Sequence, residues 1–363
     1  MPLVRHHALP VFDELEAQGK NILPLDRATQ QDIRELHIGL LNMMPDAALE
    51  PTERQFLNLV GSSNQIAQLY VYPFTIEGLD RGEKASTHID THYTAFEEIR
   101  AHGLDALIVT GANVTRPDLS AEPFWEPLLE VINWASQSVT SILCSCLASH
   151  VLLEHIYGLR RTPLSRKRWG VYRHRVARID HPLLADVNTL FDVPHSRWND
   201  IPRVSMEAAG VVPLITTADG DVHLAVSADG LRYVFLQGHP EYDINSLLKE
   251  YKREVRRFAM GEIDEHPPLP ERYFTFDALD LVERHRAQVV DARRQGQTPP
   301  EFPDDALEPL LDNTWGDSAK TLFNNWLGLV YRLTHLDRKK PFADGIDPND
   351  PLQRGKKWSL DHP

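Results

Sequence analysis

Cysteine is nearly absent from this sequence. Its 363 residues hold only two, Cys144 and Cys146, and a pair one residue apart cannot staple a fold, so a disulfide scaffold is excluded. Long apolar runs are missing too, with no stretch near the ~18 uninterrupted apolar residues of a membrane span. The first 18 residues carry two histidines and four charges and lack the apolar centre of a secretory signal. A cytoplasmic protein with reduced thiols and no membrane partner is therefore expected. Positive charge is scarce: 38 Lys and Arg stand against 52 Asp and Glu, a net charge of −14. Nucleic acid is excluded as a general partner, because its binding depends on phosphate neutralisation by Lys and Arg. No internal repeat is present. What remains is ordinary for a globular protein, 42% hydrophobic and 25% charged, with enough apolar surface to offset chain entropy.

The patterning predicts an α/β protein. Apolar, β-rich runs at 37–42, 65–72, 105–110 and 139–144 alternate with helical spacing at 53–60, 93–101, 124–136 and 147–157. Such alternation implies βαβ units and a three-layer, mainly parallel sheet flanked by helices. Ligands in these sheets sit beyond the carboxyl ends of the strands, here 42–45, 110–112 and 144–146. Three short strands follow at 211–217, 222–227 and 233–237, then a helix at 244–260. An amphipathic helix at 276–294 lies within the acidic, proline-rich segment 261–315, and a last apolar helix spans 320–333. Residues 1–35, with Pro2, Pro10 and Pro24, read as an N-terminal arm, and 336–363 as a polar tail.

Four segments could carry chemistry. Cys146 falls on the turn between an apolar strand and a helix, where the helix dipole and free N–H groups, Leu147's included, stabilise a thiolate and offer donors to an oxyanion. Cys144 lies deeper on the same strand. Taken alone, the pair reads as readily as two small core residues. His239 follows directly after the strand 233–237, and Glu241 two residues on can fix its tautomer; a turn with a surface histidine is the alternative. Gly111 and Ala112 end another strand, where backbone amides could face the nucleophile, or simply form a turn. Arg160 to Arg168 holds five basic residues in nine, either an anion anchor or a solvated loop.

Together these segments resemble the homoserine O-acyltransferases of the homoserine O-succinyltransferase type. The likeness rests on Leu-Asn-Met-Met-Pro (41–45), Gln-Phe-Leu (55–57), Ile-Val-Thr-Gly-Ala (108–112) and the Cys146 turn. It continues through Gly-Val-Tyr (170–172), Pro-His-Ser-Arg (194–197), Gly-His-Pro-Glu-Tyr-Asp (238–243) and Leu-Phe-Asn-Asn-Trp-Leu (322–327). The resemblance implies a class I glutamine amidotransferase-like (flavodoxin-like) fold, with 36–335 as a single acyltransferase domain. The acidic insertion at 261–315 departs from it, being longer than the family's usual connection before the final helix, and is expected either to cover the active site or to build a dimer contact. The resemblance further implies Cys146 as a nucleophile acylated by acyl-CoA, His239 as its base, Glu241 as the orienting carboxylate, and Gly111, Ala112 and Leu147 as backbone oxyanion donors. Lys167, Ser196 and Arg253 match its homoserine-binding positions, and an arginine suits a substrate carboxylate. Thr115 stands where the family usually has Gly for succinyl or Glu for acetyl donors. Being uncharged and small, it favours succinyl-CoA. The implied reaction yields O-succinyl-L-homoserine for methionine biosynthesis, without a metal or cofactor, in a homodimer. The alternatives are acetyl-CoA as donor, L-serine as acceptor, an amidotransferase-type hydrolase, or a non-catalytic binding protein.

Overall fold

A computed structural model describes residues 3–63 and 67–353. Runs that are apolar on every residue must be covered on both faces, and these runs form the centre of the sheet. In chain order the first elements are β1 (Val4–Arg5), α1 (Val11–Ala17), β2 (Leu23–Pro24), α2 (Leu25–Ala28), β3 (Glu35–Leu41), α3 (Asp46–Ser63) and β4 (Gln68–Phe74). Then come α4 (Glu83–His92), α5 (Phe96–His102), β5 (Ala106–Val109), α6 (Trp125–Ser138), β6 (Ser141–Ser145) and α7 (Leu147–Tyr157). The second half holds β7 (Thr162–Val176), β8 (Leu190–Asp200), α8 (Arg203–Ala208), β9 (Val212–Thr216), β10 (Val222–Val226) and β11 (Tyr233–Leu236). It closes with α9 (Ser246–Ala259), α10 (Phe276–Gln295), α11 (Asp304–Leu307) and α12 (Gly316–Leu333).

Among the described residues, nine strands form one sheet in the order β4-β3-β5-β6-β11-β10-β9-β7-β8. The first five are parallel neighbours and the rest antiparallel. Helices cover both faces. On one, Phe12 of α1, Phe56 of α3 and Phe323 and Trp326 of α12 bury against Ile38, Leu143 and Leu236. On the other, Ile99, Leu128, Ile132 and Val151 from α5, α6 and α7 meet Leu107, Val109 and Ile142. Each such side chain contributes about 1.5–3 kcal/mol by leaving water. A third apolar cluster joins α9 to α10 through Leu248, Tyr251, Val255, Val282 and Val289.

Three expectations need correction. The described part of the N-terminal arm is packed into the core: Leu3, Leu9, Phe12 and Leu15 are each at most 1% exposed. Pro10 and Pro24 do not interrupt helices but precede α1 and α2, where a missing N–H costs nothing. The tail expected from 336 also folds back, as far as it is described. Phe342 is buried under the Arg232 guanidinium, and Arg338 bonds Glu35 at 3.0 Å; residues 354–363 lie outside the described residues. Last, the basic run at 160–168 is no loop but largely the start of β7, the long strand that pairs with β8. Of the strand expected at 65–72, residues 65 and 66 also lie outside the described residues.

Candidate active site

β6 ends at Ser145 and α7 begins at Leu147, so Cys146 alone makes the turn between them. Its backbone lies at φ 52°, ψ −112°, a region that costs a non-glycine residue about 1–3 kcal/mol unless its surroundings enforce it. They do so through hydrogen bonds. The Cys146 N–H donates to the Leu236 carbonyl at 2.7 Å, and the Ser149 hydroxyl sits between the carbonyls of Cys144 (2.8 Å) and Leu236 (2.9 Å). The turn therefore lifts Cys146 out of the sheet, while Cys144 stays fully buried, where desolvation pushes its thiol pKa far up.

The ends of β3, β5, β6 and β11 converge on a cavity of about 580 Å³, whose walls include Met44, Gly111, Cys146 and His239. His239 Nδ1 lies 2.7 Å from Glu241 Oε1, and both residues are buried. Burial disfavours the imidazolium, yet the charge of Glu241, then that of Cys146, and hydrogen bonding to both hold the His239 pKa well above the ordinary imidazole value. The ring stacks on Tyr242 with centroids 4.3 Å apart, and the His239 N–H is tied to the Pro194 carbonyl at 2.8 Å.

Opposite Cys146, a Cβ built on Gly111 would sit 3.7 Å from Cys146 Cβ and 3.9 Å from the Leu147 nitrogen. The Gly111 carbonyl accepts from the Thr110 hydroxyl at 3.0 Å. Because the peptide unit is planar and trans, holding that carbonyl aims the Ala112 N–H the other way. Among the described residues, neither the Ala112 nor the Leu147 N–H has an acceptor.

Lys167, Ser196 and Arg253 line the same cavity, as do Ala112, Leu147 and Thr115. The sequence-derived set is thus brought together, with Glu241 behind His239. What the sequence reading missed is the residue at their centre. Glu250 of α9 accepts from Ser196 Oγ at 2.6 Å, Lys167 Nζ at 3.1 Å and the Tyr242 hydroxyl at 2.9 Å. Its desolvation is overcome by the Lys167 charge and by these hydrogen bonds, which keep its pKa below the usual carboxylate range. Arg253 lies three residues on, hence on the same face of α9. Gln55, in the sequence simply part of the Gln-Phe-Leu run, holds this region from the other side. Its Nε2 reaches Asp243 at 3.1 Å and the Ser246 hydroxyl at 2.9 Å, clamping the loop behind His239 to α3. No residue of 261–315 lines the cavity; that segment packs on the outer side of α9.

A family model described as homoserine O-succinyltransferase matches residues 2–336. The chain is 57% identical over 352 residues to a homoserine O-succinyltransferase of Allochromatium vinosum, covering 97% of this chain and 99% of that one. The same name is carried by a Methylococcus capsulatus protein at 56% identity, covering 97% and 99%, and by one from Cardiobacterium hominis at 48%, covering 98% and 99%. Among solved structures, a glutamine amido transferase from Methylobacillus flagellatus is similar with a TM-score of 0.45 and 15% identity, over 82% of this chain and 95% of that one. With a family match across nine-tenths of its length and relatives above half identity, this chain belongs to the homoserine O-succinyltransferase family.

Proposed function

We propose that the protein transfers the succinyl group of succinyl-CoA to the hydroxyl of L-homoserine through a thioester on Cys146. The observation that carries this reading is the half-buried, cavity-lining turn at Cys146 beside a His239–Glu241 pair, in a cavity that also holds a zwitterion-matching Glu250 and Arg253. The sulfur of Cys146 attacks the donor carbonyl while its proton resides on His239. Charge growing on the carbonyl oxygen is met by the N–H groups of Ala112 and Leu147, with Gly111 leaving room for that atom. The tetrahedral intermediate collapses, CoA leaves with the proton from His239, and a succinyl thioester remains. The homoserine hydroxyl then gives its proton to neutral His239, attacks the thioester and releases Cys146. Glu241 stabilises the imidazolium and holds its tautomer in both halves.

For the acceptor, Glu250 receives the α-ammonium and Arg253 the α-carboxylate, with Lys167 and Ser196 holding Glu250 in place. Neutral Thr115 leaves the donor's free carboxylate unopposed, which favours succinyl-CoA over acetyl-CoA. Homoserine is preferred to serine by the one methylene between them, worth ~1–3 kcal/mol. Acyl-CoA is a substrate, so no cofactor is required. The test is a product assay with succinyl-CoA or acetyl-CoA against homoserine or serine. O-succinylhomoserine should form at least about tenfold faster than any other pairing's product; CoA release without acyl transfer, or a preference for acetyl-CoA, would refute the assignment.

A further inference from the structure

Among the described residues, five Arg and Lys side chains line the cavity: Arg116, Arg161, Lys167, Arg197 and Arg253. Three are already matched by carboxylates. Lys167 meets Glu250 and lies over the Trp169 ring at 4.3 Å. Arg197, buried, is held by Asp200 at 2.8 Å and Asp221 at 2.7 Å. Arg253 contacts Glu254 at 3.0 Å on the acceptor side of the cavity. Arg116 is exposed to solvent.

Arg161 differs from all of these. It follows α7 just ahead of β7, is half-buried, and among the described residues no carboxylate lies within ion-pair distance of its guanidinium. Among the described residues its guanidinium makes one hydrogen bond, a long one of 3.5 Å to the Pro117 carbonyl. That carbonyl belongs to the loop containing Thr115. The nearby carboxylate of Glu122 is engaged elsewhere, taking the Thr115 N–H at 2.7 Å, the Thr115 hydroxyl at 3.2 Å and the Arg116 N–H at 2.5 Å. The desolvation of Arg161 is offset only at a distance, by the charges of Glu154, Glu122 and Asp118, and a half-buried cation with no carboxylate in contact gains from an arriving anion. A succinyl group differs from an acetyl group in bringing one.

We propose that Arg161 binds the distal carboxylate of the donor's succinyl group and thereby sets the preference for a dicarboxylic acyl donor. This rests on the acyl-transfer reading above. Glu122 fixes the Thr115 loop as the wall beside the incoming carboxylate, and the guanidinium fork receives its two oxygens. The other anion that CoA offers is phosphate, and the experiment separates the two. Arg161→Gln and Arg161→Lys are assayed with succinyl-CoA and acetyl-CoA, with free CoA as product inhibitor. Arg161→Gln should lower kcat/KM for succinyl-CoA about 10- to 100-fold, leaving acetyl-CoA turnover, the CoA inhibition constant and the homoserine KM within about threefold of wild type. Arg161→Lys should recover most of the loss. A parallel fall for both donors with weaker CoA inhibition would assign Arg161 to a phosphate, and a raised homoserine KM would assign it to the acceptor. Either result, or an unchanged succinyl-CoA rate, overturns the proposal. A wild-type protein that makes no O-succinylhomoserine would instead overturn the reading beneath it.

Discussion

Two thiols one residue apart illustrate how little residue type decides alone. Cys144 is fully buried within an apolar cluster, so its replacement removes packing and no chemistry. Cys144→Ala should keep activity within about threefold while lowering stability by roughly 1 kcal/mol, readable from paired rate and melting measurements. Cys146→Ala should abolish transfer with the fold intact. Glu241 is the largest favourable influence on the His239 imidazolium, so Glu241→Gln should make that ring titrate at lower pH in an NMR titration and cut kcat by about 10²–10⁴-fold. An unmoved His239 titration would remove Glu241 from its role. Cys146 and His239 were legible in the sequence because each comes just after an apolar strand, and Glu241 because it stands two residues beyond His239. Glu250 was not: in Ser-Leu-Leu-Lys-Glu-Tyr-Lys-Arg-Glu-Val-Arg-Arg-Phe-Ala it is one of many charges on an amphipathic helix. Its spacing of three from Arg253 is the only local hint.

The elements that carry these residues are fixed by close contacts at their ends. A Cβ on Gly238 would come within 2.6 Å of Val193 Cγ1 and 2.9 Å of both His195 Nε2 and His223 Nδ1. All three side chains are buried on paired strands, so the loop bearing His239 would have to move instead. Gly238→Ala should therefore lower kcat sharply, with a stability cost of about 1–3 kcal/mol; near wild-type kcat would show that the loop tolerates displacement. The central strands were legible because burial on both faces leaves no room for polar residues. The β7–β8 pair was not, because its first turns are exposed and basic, so no apolar period marks them. The prolines of residues 3–28 misled for a related reason: a proline that starts an element looks, in sequence, like one that stops it.

Taken whole, the molecule buries an unusual set of neutral histidines. Desolvation lowers His150 and His174 to about 4, and His195 and His223 fall well below their usual value for the same reason. These groups take up protons more readily when unfolded, so the stability they permit is present above about pH 6.5 and lost as pH falls towards 4. Each contributes up to about 1.4 kcal/mol per pH unit in that window. His239 has the opposite sign, stabilising at low pH and losing that contribution as pH rises through its raised pKa. His88 is raised as well, but His6 and His7 are lowered to about 4 and about 3, so the lowered rings outnumber the raised ones and the melting temperature should drop steeply between pH 6.5 and 4.5; a flat profile would contradict the burial of these rings. The N-terminal segment belongs to the same interior. Deleting residues 1–28 removes Leu3, Leu9, Phe12 and Leu15 from the core, at about 1.5–3 kcal/mol each. That sum rivals the ~5–15 kcal/mol of a typical domain, so the truncated chain should fail to fold cooperatively, whereas a true arm would be dispensable.

Covalent transfer through Cys146 is most directly tested by intact mass after mixing the protein with succinyl-CoA alone. One succinyl group per chain should appear, map to the peptide containing Cys146, be absent in Cys146→Ala, and leave as O-succinylhomoserine when homoserine is added. Turnover with no adduct, or an adduct on another residue that homoserine can discharge, would contradict it.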